Sequence, residues 1–179
     1  MAIERFGDHT PQIHPEAFVH ASAVLIGNVT IGAESSVWPQ VALRGDDGPI
    51  TIGAQTSIQD GTMVHMTEGL SVTTVGDRVT VGHGVILHGC TIEDDCLIGM
   101  GSIILDNAVV ESGSIVGAGA LVPPGKRVPA GSVVVGNPFK LLRQVSDADR
   151  ESIDYSWREY VKRTRQYRTA SQGSSQGSG

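Results

Sequence analysis

The amino-acid sequence predicts an all-β fold in which short parallel strands coil into a three-sided prism, followed by a C-terminal α-helix. An aliphatic residue recurs every six positions, a small or β-branched residue follows four positions later, and 23 glycines accompany only three Phe, two Trp and three Tyr. A period of six fits neither an α-helix nor an amphipathic strand, so it indicates a repeat architecture. The aliphatic positions are Ile13, Val19, Leu25, Ile31, Val37, Leu43, Ile52, Ile58, Val64, Val75, Val81, Leu87, Ile92, Ile98, Ile104, Val110, Val116, Val122, Val128 and Val134.

Each six-residue unit is long enough for one short strand and one bend. Three units close a triangle, and stacked turns bury the aliphatic residues while each strand pairs in parallel with the next turn at about 4.8 Å. The pattern covers residues 13–138 and resembles the left-handed parallel β-helix of hexapeptide repeats. Residues 1–12 are expected to form an N-terminal entry segment.

The repeat ends at residue 138, and a helical pattern follows it. Ser146 or Asp147 is expected to cap a helix over residues 146–168. Residues 169–179 carry little apolar surface, so we expect a disordered tail there. The apolar face of the helix is expected to pack along the prism or on a neighbouring chain. Its members are Ile153, Trp157, Tyr160, Val161 and Thr164.

Charge and composition exclude several classes of protein. The formal net charge is −6, from 13 basic and 19 acidic residues, and the sequence contains no long Lys/Arg run, so nucleic acid and anionic membranes are not expected partners. We expect a cytoplasmic protein, because the sequence has neither a signal peptide nor a membrane-spanning stretch. Cys90 and Cys96 form no CxxC pair and are expected to be reduced, packed thiols.

Two breaks in the period predict loops. Aliphatic spacings of nine and eleven residues replace the usual six, which places one loop within Gly45–Pro49 and another over Thr67–Thr73. Loops on a rigid scaffold are where functional residues concentrate.

The period also places side chains on the three faces, which we label A, B and C in chain order from Ile13. On face C, the residue after the aliphatic position points outward, and successive turns carry Arg44, His65, His88 and Leu105. Two imidazoles on neighbouring turns are close enough to bind one metal ion at about 2.0 to 2.1 Å.

Face B carries a second outward column, formed by Asp60, His83 and Met100. Within one prism, His83 lies on the wrong side to join the two histidines of face C. It could join them if face C of one chain met face B of the next, a heterologous contact that closes as a ring of three. The columns therefore predict a homotrimer with sites at its interfaces, where Arg44 pairs with Asp60.

Three segments, RGDDGPITIG, IQDGTMVH and GHGVILHGC, resemble the gamma-class carbonic anhydrase family in order and spacing. The resemblance implies that His65 and His88 bind a metal from one subunit and His83 from its neighbour. It also implies an intersubunit salt bridge between Arg44 and Asp60.

The same resemblance implies further roles. Asp46 would join the salt-bridge network, and Gln59 would position a metal-bound water. Asp47 stands where well-characterised family members have Glu, which is one methylene longer. The long acidic loop of those enzymes is replaced by a short one carrying Glu68, which is either a proton shuttle or a solvated loop carboxylate. Tyr160 aligns with a position over the family's site, although its spacing equally suits helix packing.

These residues predict metal-dependent reversible hydration of CO2 to bicarbonate by a metal-bound hydroxide at the trimer interfaces. Gln59 would orient the hydroxide, and Asp47 or Glu68 would export the proton. Zinc is the default metal, with Fe(II) or Co(II) as alternatives. Two other readings remain open: a hexapeptide acyltransferase or CoA-thioester hydrolase, and a non-catalytic metal-binding scaffold trimer.

Overall fold

The computed structural model describes residues 2–173 as a parallel β-solenoid of about seven turns with one C-terminal helix. This confirms the predicted left-handed β-helix of hexapeptide repeats. The described strands are β1 Ala2–Glu4, β2 Gln12–Ile13, β3 Phe18–Val19, β4 Val24–Ile31, β5 Ser36–Val37, β6 Ala42–Ile52, β7 Ser57–Ile58, β8 Met63–His65, β9 Thr73–Val75, β10 Thr80–Val81, β11 Ile86–His88, β12 Thr91–Ile92, β13 Leu97–Ile98, β14 Ile103–Ile104, β15 Val109–Val110, β16 Ile115–Val116, β17 Leu121–Val122, β18 Arg127–Val128, β19 Ser132–Val135 and β20 Lys140–Gln144.

The three predicted faces are visible in the strand pairing. Face B is a sheet of eight strands, ordered β20-β19-β16-β13-β10-β7-β5-β3. Faces A and C form one larger sheet, because β4 and β6 run around the corner between them. On face C, β6 is followed by β8, β11, β14 and β17. Apart from β20, the solenoid strands pair in parallel, as the period predicts.

The interior of the prism is a continuous aliphatic column. Leu25, Leu43 and Leu87 on face C are fully buried, as are their counterparts on the other two faces. The two cysteines lie in the same core, and burial raises the pKa of each thiol to about 12. Cys90 and Cys96 are therefore packed, protonated thiols.

Both period breaks leave the prism intact. In the first, pairing between β4 and β6 resumes at Val29 and Ile50 after Gly27 and Gly45, so the extra residues of β6 bulge outward opposite Asn28. The second break separates β8 from β9, and its turn is closed by hydrogen bonds from the backbone N–H groups of Leu70 and Ser71 to the carbonyl of Thr67, each 3.1 Å.

Both ends of the prism carry a strand that the six-residue period does not contain. In the N-terminal entry segment, β1 pairs in parallel with Val24–Ile26 of β4 and adds a strand to face C. At the other end, β20 pairs antiparallel to β19, a reversal that the six-residue period does not contain.

The helix, α1, spans Asp147–Gly173. Ser146 is its cap: the Ser146 hydroxyl accepts a hydrogen bond from the Asp149 N–H, while the Asp149 carboxylate accepts one from the Ser146 N–H. The buried residues Ile153, Trp157 and Val161 pack against Leu97 and Ile115 of face B. The predicted apolar face therefore covers the helix's own prism. Within residues 2–173, no helix combines the length and apolar character needed to cross a membrane.

The helix extends beyond its predicted end at residue 168. The predicted tail over 169–179 is thus wrong for 169–173, which are helical, and residues 174–179 lie outside the described residues. Tertiary contacts stabilise these last turns: the Tyr167 ring lies 5.3 Å from the Phe18 ring, and the Arg168 guanidinium donates to the Pro15 carbonyl at 2.9 Å.

Candidate metal centre

Two histidines lie side by side on face C. His65 and His88 are direct partners in the pairing of β8 with β11, and their ring centroids are 5.4 Å apart. Arg44 lies on the preceding turn, and its Nη2 is 3.2 Å from His65 Nδ1. Leu105 follows His88 on the next turn, since Leu87 pairs with Ile104. The rigid parallel ladder therefore sets the spacing of the two imidazoles.

The outward bulge of β6 brings two carboxylates to His65. His65 Nε2 lies 3.1 Å from Asp46 Oδ1 and 3.2 Å from Asp47 Oδ2. Arg44 donates to both oxygens of Asp46 at 3.0 and 2.7 Å. We call Arg44, Asp46, Asp47, His65 and His88 the first half-site. Desolvation by itself would raise the pKa of Asp46, but hydrogen bonds from Arg44 and His65 outweigh it and hold this pKa below its usual range.

Sequence reasoning missed the residues that support His88. The Asp106 carboxylate lies 3.1 and 3.2 Å from His88 Nδ1 and accepts a hydrogen bond from the Ser71 hydroxyl at 2.5 Å. The Thr73 hydroxyl donates to the His65 carbonyl at 2.6 Å and accepts from the Gly89 N–H at 3.0 Å. One signal was available in the sequence: the period places Asp106 one turn after Gly89, where the missing Cβ leaves room for a carboxylate.

A second group of predicted residues lies on face B. His83 Nδ1 is 3.1 Å from Asp60 Oδ2, and the exposed fractions of these side chains are 51% and 47%. Gln59 precedes Asp60 and is 5% exposed. We call Gln59, Asp60, His83 and Tyr160 the second half-site.

Tyr160 reaches this second half-site from the helix. Its ring packs edge-on against Trp38 with centroids 5.5 Å apart, and the Arg163 guanidinium carbon lies 5.6 Å from the Tyr160 ring. These three residues line a cavity of about 280 Å³ together with Asp60 and His83. Burial, and the charge of Asp60 to a lesser degree, raise the pKa of Tyr160. Its hydroxyl is therefore protonated at neutral pH.

Glu68 joins neither group. It is exposed in the turn between β8 and β9. The two half-sites lie on different faces of the prism, so one protomer does not bring His83 to His65 and His88.

The donor set of the first half-site suits a divalent transition metal. Ligand atoms of Asp46, Asp47 and His65 all lie within 4.8 Å of one another, and His88 stands one turn away with its Nδ1 held by a carboxylate. Imidazole nitrogens supplemented by carboxylates are typical ligands of zinc and of Fe(II) or Co(II). The residues therefore fit a metal.

Comparisons with known proteins identify hexapeptide-repeat relatives of this chain. The family described as bacterial transferase hexapeptide (six repeats) matches residues 89–124. Protein YrdA of Escherichia coli is 45% identical over 163 residues, which cover 88% of this chain and 89% of YrdA. The crystal structure of a suggested acetyltransferase of Bacillus cereus has a TM-score of 0.93 at 37% identity and covers 94% of this chain and 98% of that one.

Gamma carbonic anhydrase 2, a mitochondrial protein of Arabidopsis thaliana, is 43% identical over 159 residues, which cover 86% of this chain. The match covers 57% of the Arabidopsis protein, so this chain spans just over half of its length. These identities extend over most of this chain, and the relatives share its hexapeptide-repeat architecture. The chain is therefore a member of the gamma-class carbonic anhydrase family of hexapeptide-repeat proteins.

Proposed function

We propose that the protein is a cytoplasmic, metal-dependent enzyme that hydrates CO2 reversibly to bicarbonate at the interfaces of a homotrimer. Each site would combine the first half-site of one subunit with the second half-site of its neighbour. The observation that carries this proposal is the split of three histidines between two faces of one rigid prism, two as direct partners on face C and one on face B.

The order of residues along the two columns supports the contact between subunits. In chain order, this part of the face C column runs from the cation Arg44 through two histidines to Leu105, and the matching part of face B runs from the anion Asp60 through His83 to Met100. Across the interface, Arg44 would face Asp60, the two histidines of face C would face His83, and Leu105 would face Met100. Such complementarity favours one register of association.

A second outward column of face C is apolar. Met63 and Ile86 are direct partners with exposed fractions of 58% and 37%, and Ile103 and Leu121 continue the same row. An apolar stripe beside a polar site is typical of a surface covered by another subunit. It supports burial of face C in the trimer.

A divalent metal bound between the half-sites would lower the pKa of a coordinated water and so supply hydroxide near neutral pH. His65 and His88 of one subunit and His83 of the next would hold the metal, with zinc as the first candidate and Fe(II) or Co(II) as alternatives. Three neutral imidazoles leave a coordination position open, which a catalytic site requires.

The remaining residues would orient the water and move its proton. Gln59 adjoins Asp60, so it would enter the interface beside the Arg44–Asp60 pair and offer an amide to the water. Asp47 is a candidate for the proton relay, because its carboxylate contacts His65 while its side chain stays 38% exposed. Glu68, exposed in the adjacent turn, would accept the proton nearest to solvent. Tyr160 would line the wall of the site beside His83.

Metal content and CO2 hydration of the purified protein test the proposal together. We expect about one metal per subunit, a trimer by sedimentation, and hydration that rises with pH and is lost on chelation. A monomeric protein would contradict the shared site. A metal-loaded trimer without hydration at any pH or buffer concentration would instead favour the non-catalytic scaffold.

Acyl transfer is the second candidate function, and the likeness to the suggested acetyltransferase of Bacillus cereus favours it. Acyltransferases of this fold use a histidine base without a metal, so His83 or His88 would act on an acceptor hydroxyl or amine. Titration with acetyl-CoA distinguishes the two: saturable binding by metal-free protein, with transfer or hydrolysis of the acetyl group, would replace the hydratase proposal.

A further inference from the structure

The two histidines of the first half-site have opposite hydrogen-bond partners at Nδ1. His88 Nδ1 faces only the oxygens of Asp106, at 3.1 and 3.2 Å. A carboxylate can only accept, so Nδ1 of His88 carries a hydrogen, and in the neutral imidazole, the form that binds a metal, Nε2 then keeps its lone pair. His65 Nδ1 faces a donor, Nη2 of Arg44, so in the neutral ring its hydrogen lies on Nε2 and points at Asp46 and Asp47.

With a lone pair on Nε2, His88 can bind a metal without any change of tautomer. For His65 to bind through Nε2, the hydrogen must first leave Nε2, and the hydrogen bonds from Nε2 to Asp46 and Asp47 must break. A partner that holds the other ring nitrogen of a ligand histidine fixes the ring and raises its affinity for the metal.

The position of Asp106 is built into the fold. The Ser71 hydroxyl donates to Asp106 Oδ1 at 2.5 Å, and this pair occupies the space beside Gly89. A Cβ at Gly89 would lie 2.0 Å from Ser71 Oγ and 2.3 Å from Asp106 Oδ1, and its φ of +62° also favours glycine. A glycine is therefore required where the loop between β8 and β9 meets Asp106.

We propose that Asp106 is a positioning residue that sets the tautomer of His88 for metal binding, and that Ser71 links the loop between β8 and β9 to this ligand. The proposal rests on the proposed metal site but concerns two residues, Asp106 and Ser71, that would not themselves bind the metal. It makes Asp106 and Ser71 determinants of metal affinity.

The test compares Asp106→Asn with Asp77→Asn in the full-length protein. Asp77 is a matched control, because its carboxylate also accepts a hydrogen bond at a prism corner, from the Ala54 N–H at 2.7 Å, away from the histidines. Competition of Co(II) or Zn(II) against a chelator should show about 10- to 100-fold weaker binding for Asp106→Asn. Asp77→Asn should remain within about twofold of the parent.

A second readout is independent of metal binding and of activity. Long-range ¹H–¹⁵N correlation of histidine side chains in metal-free protein reports the tautomer of His88, assigned through loss of its signals in His88→Ala. We expect Nδ1–H in the parent and in Asp77→Asn, and a mixture of tautomers in Asp106→Asn. Ser71→Ala, which keeps the carboxylate, should shift tautomer and affinity in the same direction by a smaller factor, and it replaces Asp106→Asn if that variant does not fold.

The outcomes separate the two proposals. Parent-like affinity and an unchanged His88 tautomer in Asp106→Asn and in Ser71→Ala would overturn the role of Asp106. If instead His88→Ala binds metal as tightly as the parent, the proposed metal site fails, while the tautomer of His88 still tests the action of Asp106.

Discussion

The two half-sites show how differently one prism can prepare its faces. In the first, each histidine contacts carboxylates of its own chain, and the exposed fraction of His65 is only 16%. In the second, His83 contacts the half-exposed Asp60 and stays half-exposed itself. The first half-site is thus organised and largely buried within the protomer, whereas the second stays half-exposed and would need the proposed neighbouring subunit to bury it.

The largest expected effect comes from mixing subunits that are defective in different half-sites. His83→Ala and His88→Ala should each reduce bound metal to about a tenth or less of the parent. When the two are co-expressed, an interface is intact if its face C comes from His83→Ala and its face B from His88→Ala. Random assembly gives this combination at about one quarter of interfaces, so metal content should recover to about that fraction.

Co-expression of His65→Ala with His88→Ala is the matched control. Both changes lie in the first half-site, so no combination of these subunits gives an intact interface, and metal should stay at the level of the single variants. Equal recovery in both mixtures would contradict the division of ligands between two faces.

A smaller effect is expected at the charged pair that would join the half-sites. Arg44→Ala would leave Asp60 of the neighbouring subunit without its cation, so the trimer dissociation constant should rise by about tenfold or more, measured by sedimentation equilibrium. Arg127→Ala is the control, because Arg127 also pairs with a carboxylate of its own chain, Glu111 at 2.7 Å, but lies on face A, away from the proposed interface. If Arg44→Ala and Arg127→Ala weaken assembly equally, the pairing across the interface is wrong.

Proton export gives a third prediction. Asp47 contacts His65 but is shorter than the family's Glu, so Asp47→Glu should raise CO2 hydration at low buffer concentration by about two- to fivefold and flatten its buffer dependence. Glu68→Gln should lower the rate by less, because Glu68 is exposed and bulk buffer can replace it. If Asp47→Glu raises the rate only at saturating buffer, and not at low buffer, Asp47 has no role in proton export.

The smallest effect concerns the wall of the second half-site. Burial raises the pKa of Tyr160 in the folded protein, so its neutral form contributes stability that is complete below the pKa of about 10 in the unfolded chain and is lost as the pH rises through the folded value. Between pH 9 and pH 11, the urea midpoint of the parent should fall more than that of Tyr160→Phe. Parallel pH dependences of the two midpoints would show that Tyr160 titrates alike in both states.

The six-residue period was sufficient to predict the faces and the neighbouring positions of His65 and His88, because parallel pairing without slippage makes position in the turn equal to position in space. The period did not predict the contact between Asp106 and His88, because this contact depends on the Asp106 side chain reaching beside Gly89 to the preceding turn. The six-residue period predicts the turn on which a residue lies, but it does not predict which way a side chain points at a corner of the prism.

The ends of the chain were predictable to a lesser degree for a related reason. β1 and β20 lack the aliphatic spacing, and their strand structure comes from pairing with β4 and β19. The last turns of the helix have a polar sequence, yet Tyr167 packs on Trp38 with ring centroids 5.1 Å apart. In each case a tertiary contact overrides a weak local signal.

The helix also connects parts of the prism that are otherwise remote. Its 27 residues extend about 40 Å, from Leu97 and Ile115 at its beginning to Phe18 near its end. Turns of a solenoid contact only their neighbours, so end turns could fray one by one. Because α1 contacts both an early turn and later ones, the turns are expected to unfold together in a single cooperative transition. Substitutions that detach the helix from the prism would instead let the turns unfold in several steps.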